Sequence, residues 1–136
     1  MVKSTAVYTG GLHCELAHEP SGSRIETDAP KDNQGKGEKF SPTDLVGAAL
    51  ASCILTTMAI VAERNGVSLK GATAEVEKEM VSTPTRRIGS LRARVNFPAG
   101  VAKDQRAKLE HAAQHCPVHK SLHPDVDAHI AFAYPD

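Results

Sequence analysis

From Leu45 to Ala62 the chain reads LVGAALASCILTTMAIVA, eighteen residues without a charge. A charge-free segment of this length touches the lower limit for a membrane span. Ten of its residues, however, are Ala, Gly, Ser, Thr or Cys, and no aromatic belt flanks it. A helix that is apolar all round is also what a fully buried helix of a soluble protein looks like, and that reading is preferred. The residues ahead of the segment spell a helix start. Ser41 is placed to be the N-cap, Pro42 the first helical residue and Asp44 the third. The Asp44 carboxylate can reach back to an unpaired backbone donor, and its charge suits the positive end of a helix. The helix is predicted to run about 20 residues and to stop near Arg64-Asn65-Gly66, where Asn or Gly can take a left-handed cap.

Composition decides what such a helix can pack against. The 136 residues fit one domain, 1–136, with an apolar fraction of 40%. There is no Trp, and the aromatics are Tyr8, Phe40, Phe97, Phe132 and Tyr134. The core must then be built from Ala, Val, Leu and Ile, which makes burial against a partner subunit attractive. Lys plus Arg and Asp plus Glu are both 16. A balanced surface with no long basic cluster argues against nucleic acid or an anionic membrane as partner. Met1 to Gly10 has one Lys and no apolar core of a secretory leader. The cysteines are Cys14, Cys53 and Cys116, odd in number and widely spaced, which does not suit a secreted disulfide framework. No CxxC pair suggests a zinc ribbon. The expected location is the cytoplasm, where free thiols stay reduced unless they are catalytic or redox-sensing.

The remaining elements follow from periodicity. Short β-prone pieces, Thr5–Thr9 and Arg24–Thr27, are broken by Gly10-Gly11 and by Pro20 to Ser23, which suggests hairpins. Lys31 to Lys39 reads as an exposed, mobile loop. Residues 67–80 and 88–97 are predicted to be strands. Glu75 and Glu77 on the first, with Arg92 and Arg94 on the second, would suit cross-strand ion pairs. Val101 to His115 reads as an amphipathic helix, a short helix begins near Cys116-Pro117, and Ala128 to Tyr134 reads as a last strand.

Two thiols stand out chemically. Cys53 lies mid-way along the apolar helix, where a cysteine is usually a small buried hydrophobe. Cys116 precedes Pro117 at a helix start, with His119 and Lys120 within a turn; such a position favours a thiolate. Cys14, in the hairpin predicted from its glycines, is read as a spare thiol. Five of the seven His fall between His111 and His129. His111, His115 and His119 recur every four residues, so a metal site with Cys116 is conceivable, although Pro117 interrupts that face.

The stretch SPTDLVGAALASCILTTMAIVAERNGV, Ser41 to Val67, followed after two strands by HCPVHKSL, His115 to Leu122, resembles the OsmC/Ohr family of hydroperoxide reductases. In that family a Pro-begun central helix carries the first cysteine in an Ala-Leu-Ala-Ser-Cys context, and the second sits about sixty residues on before Pro-Val. The resemblance implies an α+β fold with antiparallel sheets around a long buried central helix, two chains intertwined as a homodimer, and sites at the interface. It also implies a cofactor-free reaction. Cys53 attacks an organic hydroperoxide and becomes a sulfenic acid, Cys116 resolves it as a disulfide, and an external dithiol reduces the disulfide.

Attack from an apolar site calls for a nearby cation. The family uses an Arg from the N-terminal half, held by a Glu after the helix-starting Pro. Arg24 is the only Arg before residue 64 and is the candidate by elimination. Thr43 occupies the position of the family Glu, with Asp44 one place on; a one-residue shift turns a helical side chain by about 100°. Three readings therefore stand: a thiol peroxidase using Cys53, Cys116, Arg24 and Asp44; a protein on the same dimer scaffold that binds a small hydrophobic ligand; and a metal-binding protein using Cys116 and nearby His.

Overall fold

The computed structural model describes all residues, 1–136. The chain forms two compact units, Met1–Val46 and Gly47–Asp136.

The first unit is a three-stranded antiparallel sheet followed by a loop. Its strands are β1 (Ser4–Gly10), β2 (His13–His18) and β3 (Arg24–Asp28), in the order β1-β2-β3. The hairpins are those expected from the glycine breaks, with Thr5 opposite Ala17 and Leu16 opposite Ile25. The loop after β3 is exposed as predicted, but it is far from featureless. A 3-10 turn spans Lys31–Asn33, and the Gly35 and Gly37 amides donate to the Pro30 and Ala29 carbonyls. The buried Asp28 carboxylate accepts from the Glu38 amide, while the Asp28 amide donates to the Phe40 carbonyl. These bonds fold the polar segment back onto the end of β3.

Helix α1 (Pro42–Arg64) starts and stops where its sequence signals place it. The Ser41 amide donates to Asp44 Oδ2 at 2.9 Å and the Asp44 amide donates to Ser41 Oγ at 3.0 Å, a reciprocal capping box. At the other end Gly66 has φ +70°. The Val67 amide donates to the Ala62 carbonyl and the Gly66 amide to that of Glu63, the paired bonds of a left-handed C-terminal cap.

The second unit packs one face of α1 on a mixed sheet. Strands β4 (Thr73–Val81), β5 (Arg87–Asn96) and β6 (Ile130–Ala133) run in the order β4-β5-β6. Between β5 and β6 the chain forms α2 (Lys103–Gln114) and α3 (Pro117–Ser121). The strand pairing β4-β5 sets Glu75 opposite Arg94 and Glu77 opposite Arg92, the charge match read from the sequence. β6 joins β5 in parallel, which the sequence did not disclose; a chain that returns through two helices has the length a parallel crossover needs. Residues 67–72, expected to extend β4, are instead a turn, closed by the Ala72 amide on the Leu69 carbonyl around Gly71.

Gly47, Leu50, Ile54, Met58 and Ala62 form the buried stripe of α1 at three- and four-residue spacing. Leu50, Ile54 and Met58 are wholly buried, each worth about 1.5–3 kcal/mol against exposure. A Cβ on Gly47 would meet Val76 at 3.4 Å and Leu91 at 3.5 Å, ordinary van der Waals contact, so this position lies directly against β4 and β5. Leu91, Val95, Leu109, Ala113 and Cys116 complete the core of this unit. The opposite face of α1, with Ala48, Ala49, Ser52, Thr56 and Ile60, is exposed in the single chain. The all-round burial expected of α1 therefore holds for one stripe here, because one sheet covers one side of a helix.

Candidate active site

The fold brings Cys53 and Cys116 together across a separation that local sequence cannot span. Cys53 is held on α1 and is partly exposed; Cys116 is the N-cap of α3 and is completely buried. Their side chains interact directly, and both are free thiols. The start of α3 supplies the local polar framework. The Val118 amide points at Cys53 Sγ at 3.5 Å, and the His119 amide donates to Cys116 Sγ at 3.4 Å. Pro117 has no amide to offer and pre-sets the backbone for the first helical turn, leaving the next two amides for the sulfurs. On the α1 side the Thr57 hydroxyl lies 3.8 Å from Cys53 Sγ, one helical turn away.

The two sulfurs are not equivalent. Burial pushes the Cys116 thiol up from its ordinary value, the neighbouring Cys53 sulfur pushes the same way, and the His119 and Val118 amides pull back. The sequence had suggested the opposite for Cys116, because it sits at a helix start near cationic side chains. Desolvation outweighs the local amides: a helix of five residues is a small dipole, and a fully buried anion loses its hydration. Burial thus favours the thiol form of Cys116, which faces the Cys53 sulfur.

Arg24 and Asp44 belong to the first unit. Arg24 is exposed at the start of β3, opposite Ala17, and lines a hollow with Glu15, Ile25 and Glu26. Asp44 takes part in the capping box, and the Thr43 hydroxyl lies 3.2 Å from Ser41 Oγ. Cys14 is a half-buried free thiol in β2, opposite Tyr8 and Thr27.

The histidines of the C-terminal third do not converge on Cys116. His111 and His115 stack at 4.0 Å, His115 Nδ1 meets the His111 carbonyl, and His119 Nε2 lies 3.0 Å from the Ala128 carbonyl. The donors that do cluster are His13, Glu15 and Glu26 in the first sheet, all within 4.8 Å of one another. They lie on β2 and β3, with Glu15 and Glu26 exposed, and the half-buried His13 is already engaged: Nδ1 is 2.6 Å from Asp28 and Nε2 is 3.1 Å from Glu26.

The matching family model, OsmC-like protein, covers residues 35–130, from the loop through α1, both cysteines and into β6. The chain belongs to the OsmC-like family. A Psychrobacter arcticus structure, described as a candidate osmotic-stress-induced and detoxification-response protein, is 40% identical, with a TM-score of 0.92 over 98% of this chain and 96% of that one. The organic hydroperoxide resistance protein OsmC of Legionella pneumophila shares the fold at 18% identity, TM-score 0.79, covering 98% of this chain and 96% of its own. OhrB, an organic hydroperoxide resistance protein of Bacillus subtilis, does so at 19% identity and TM-score 0.70, covering 98% of each. No curated protein matches the chain significantly. The α+β fold and the OsmC/Ohr membership expected from the two cysteine motifs are thereby established.

Among the groups around Cys53, sequence reasoning missed Thr57 and the Val118 amide. Thr57 carried a signal, its four-residue offset from Cys53. The Val118 amide carried none, since a backbone donor has no residue type.

Proposed function

We propose that this OsmC-like protein is a thiol-dependent peroxidase that reduces organic hydroperoxides. The observation that carries the reading is the meeting of Cys53, partly exposed, with the buried Cys116 at the start of α3. The Cys53 thiolate attacks one peroxide oxygen. An S–O bond forms, the O–O bond breaks, and the leaving alkoxide takes a proton to become the alcohol. Cys116 then gives up its proton and attacks the Cys53 sulfenic acid. An S–S bond forms and hydroxide leaves as water. The two electrons come from the two sulfurs, and an external dithiol restores them.

In this reading residues 1–136 act as one domain of a cytoplasmic homodimer, and Arg24 is the cation that favours the Cys53 thiolate. The exposed apolar face of α1 supports the dimer; Ile60, toward its C-terminal end, is 54% exposed. After one equivalent of cumene hydroperoxide, mass spectrometry should find a Cys53–Cys116 disulfide within one chain. Cys53→Ser should abolish peroxide consumption. Cys116→Ser should give one turnover and a sulfenic acid that dimedone traps, and Cys14→Ser should change little. Arg24→Ala should slow alkylation of Cys53 with the circular dichroism unchanged. Peroxide consumption by Cys53→Ser at the wild-type rate would end the two-cysteine mechanism.

A second reading, a binding protein for a small hydrophobic ligand, is favoured by a hollow of about 600 Å³ beside α1, lined by Leu55, Thr56, Ala59, Glu63 and Leu69 among others. It would take over if the thiols remained reduced under peroxide while an apolar probe bound there.

A further inference from the structure

The apolar run of α1 contains three hydroxyls, Ser52, Thr56 and Thr57. Ser52 is exposed. Thr56 spends its hydroxyl as helical threonines commonly do, on backbone oxygens, at 2.9 Å from Ser52 and 3.3 Å from Cys53. Thr57 differs. Its Oγ1 lies 3.8 Å from Cys53 Sγ, on the helix face that residues four apart share. A backbone donor to that sulfur, the Val118 amide at 3.5 Å, arrives from α3. Cys53 Sγ thus has one hydroxyl from its own helix and one amide from a segment 65 residues away, both within the Gly47–Asp136 unit.

We propose that Thr57 is a catalytic hydroxyl of this site: it donates to the Cys53 sulfur and, with the Val118 amide, stabilises the thiolate that attacks the peroxide. This rests on the peroxidase reading of Cys53 and adds a residue to it. Cys53 is only partly exposed, so each donor aimed at its sulfur adds to what solvent can offer the charged form. A hydroxyl suits the task because it can rotate. It donates to the thiolate and can turn to accept once the sulfur carries an S–OH group.

The test uses site-resolved alkylation, which needs no peroxide. Wild type, Thr57→Val and Thr57→Ser are treated with iodoacetamide over a range of pH, and the Cys53 peptide is quantified by mass spectrometry. Valine keeps the shape and removes the hydroxyl; serine restores the hydroxyl. Thr57→Val should alkylate at Cys53 roughly three- to tenfold more slowly at neutral pH, the size of effect one modest hydrogen bond gives. The difference from wild type should shrink as the pH is raised. Thr57→Ser should follow the wild-type profile. Consumption of cumene hydroperoxide, with dithiothreitol as reductant, should fall by the same factor in Thr57→Val. A Thr57→Val profile identical to wild type overturns the proposal. So does an equal loss in Thr57→Ser, which would assign Thr57 to packing alone. Failure of the peroxidase reading shows separately, as peroxide consumption that survives Cys53→Ser, and leaves the alkylation comparison standing.

Discussion

A charged array outside the site governs how one unit responds to pH. His13 sits between two carboxylates, with Asp28 at 2.6 Å and Glu26 at 3.1 Å. The hydrogen bond to Asp28 is the main reason the His13 imidazole is raised above its ordinary 6.5, and its return effect is the main reason Asp28 is lowered below 3.8. The raised His contributes stability that is complete below pH 6.5 and is lost as pH rises through its folded value. The lowered Asp contributes stability that is complete above pH 3.8 and is lost as pH falls through its folded value. Both contributions are complete only between these limits. Melting temperature should therefore differ most between wild type and His13→Gln from about pH 4 to 6.5, and the gap should narrow on the alkaline side. A gap that stays constant to pH 9 would show that the pair adds nothing to stability by charge. Because Asp28 also accepts from the Glu38 amide, the loop before α1 should exchange its amide hydrogens faster as the pair is lost.

The start of α1 poses a question at the scale of the element. The resemblance assigned an acidic side chain near this end the job of holding an arginine. The structure gives Asp44 a visible local one, since its carboxylate and the Ser41 hydroxyl satisfy each other's amides. Asp44→Ala should cost about 1 kcal/mol of stability, the usual worth of such a cap. Asp44→Asn keeps an acceptor for the Ser41 amide and removes the charge, so it should preserve most of that stability. If Asp44→Asn melts like wild type yet reduces hydroperoxide several-fold more slowly, the charge serves the chemistry as well as the cap. Equal activity would confine Asp44 to the helix start.

At the scale of the whole molecule, the dominant fact is apolar surface. α1 is long and apolar enough to cross a membrane by length and composition, yet Leu50, Ile54 and Met58 are buried completely in their own unit. In the first unit Val7 and Tyr8 of β1 are 57% and 63% exposed. Surfaces of this kind suit burial by a second copy of the chain. Sedimentation at micromolar concentration should give twice the 14.5 kDa chain mass. A clean monomer would remove the dimer from the proposed function and leave the thiol chemistry to be judged on one chain.

Local chemistry made much of this legible in the residues themselves. Ser41, Pro42 and Asp44 announced the start of α1, and Asn65-Gly66 announced its end. The alternating acids and bases of β4 and β5 announced their pairing. Cys53 and Cys116 carried family motifs that named the fold before any contact was known. These signals work because capping, turn formation and strand alternation involve neighbours a few residues apart. The parallel partner of β5, the turn at residues 67–72, the burial of Cys116 and the Val118 amide on Cys53 were decided by tertiary structure alone. Each depends on segments far apart in the chain. For Cys116 the local reading even had the wrong sign, because proximity to a helix start is written in the sequence, whereas the loss of water around a sulfur exists only once the chain has folded over it.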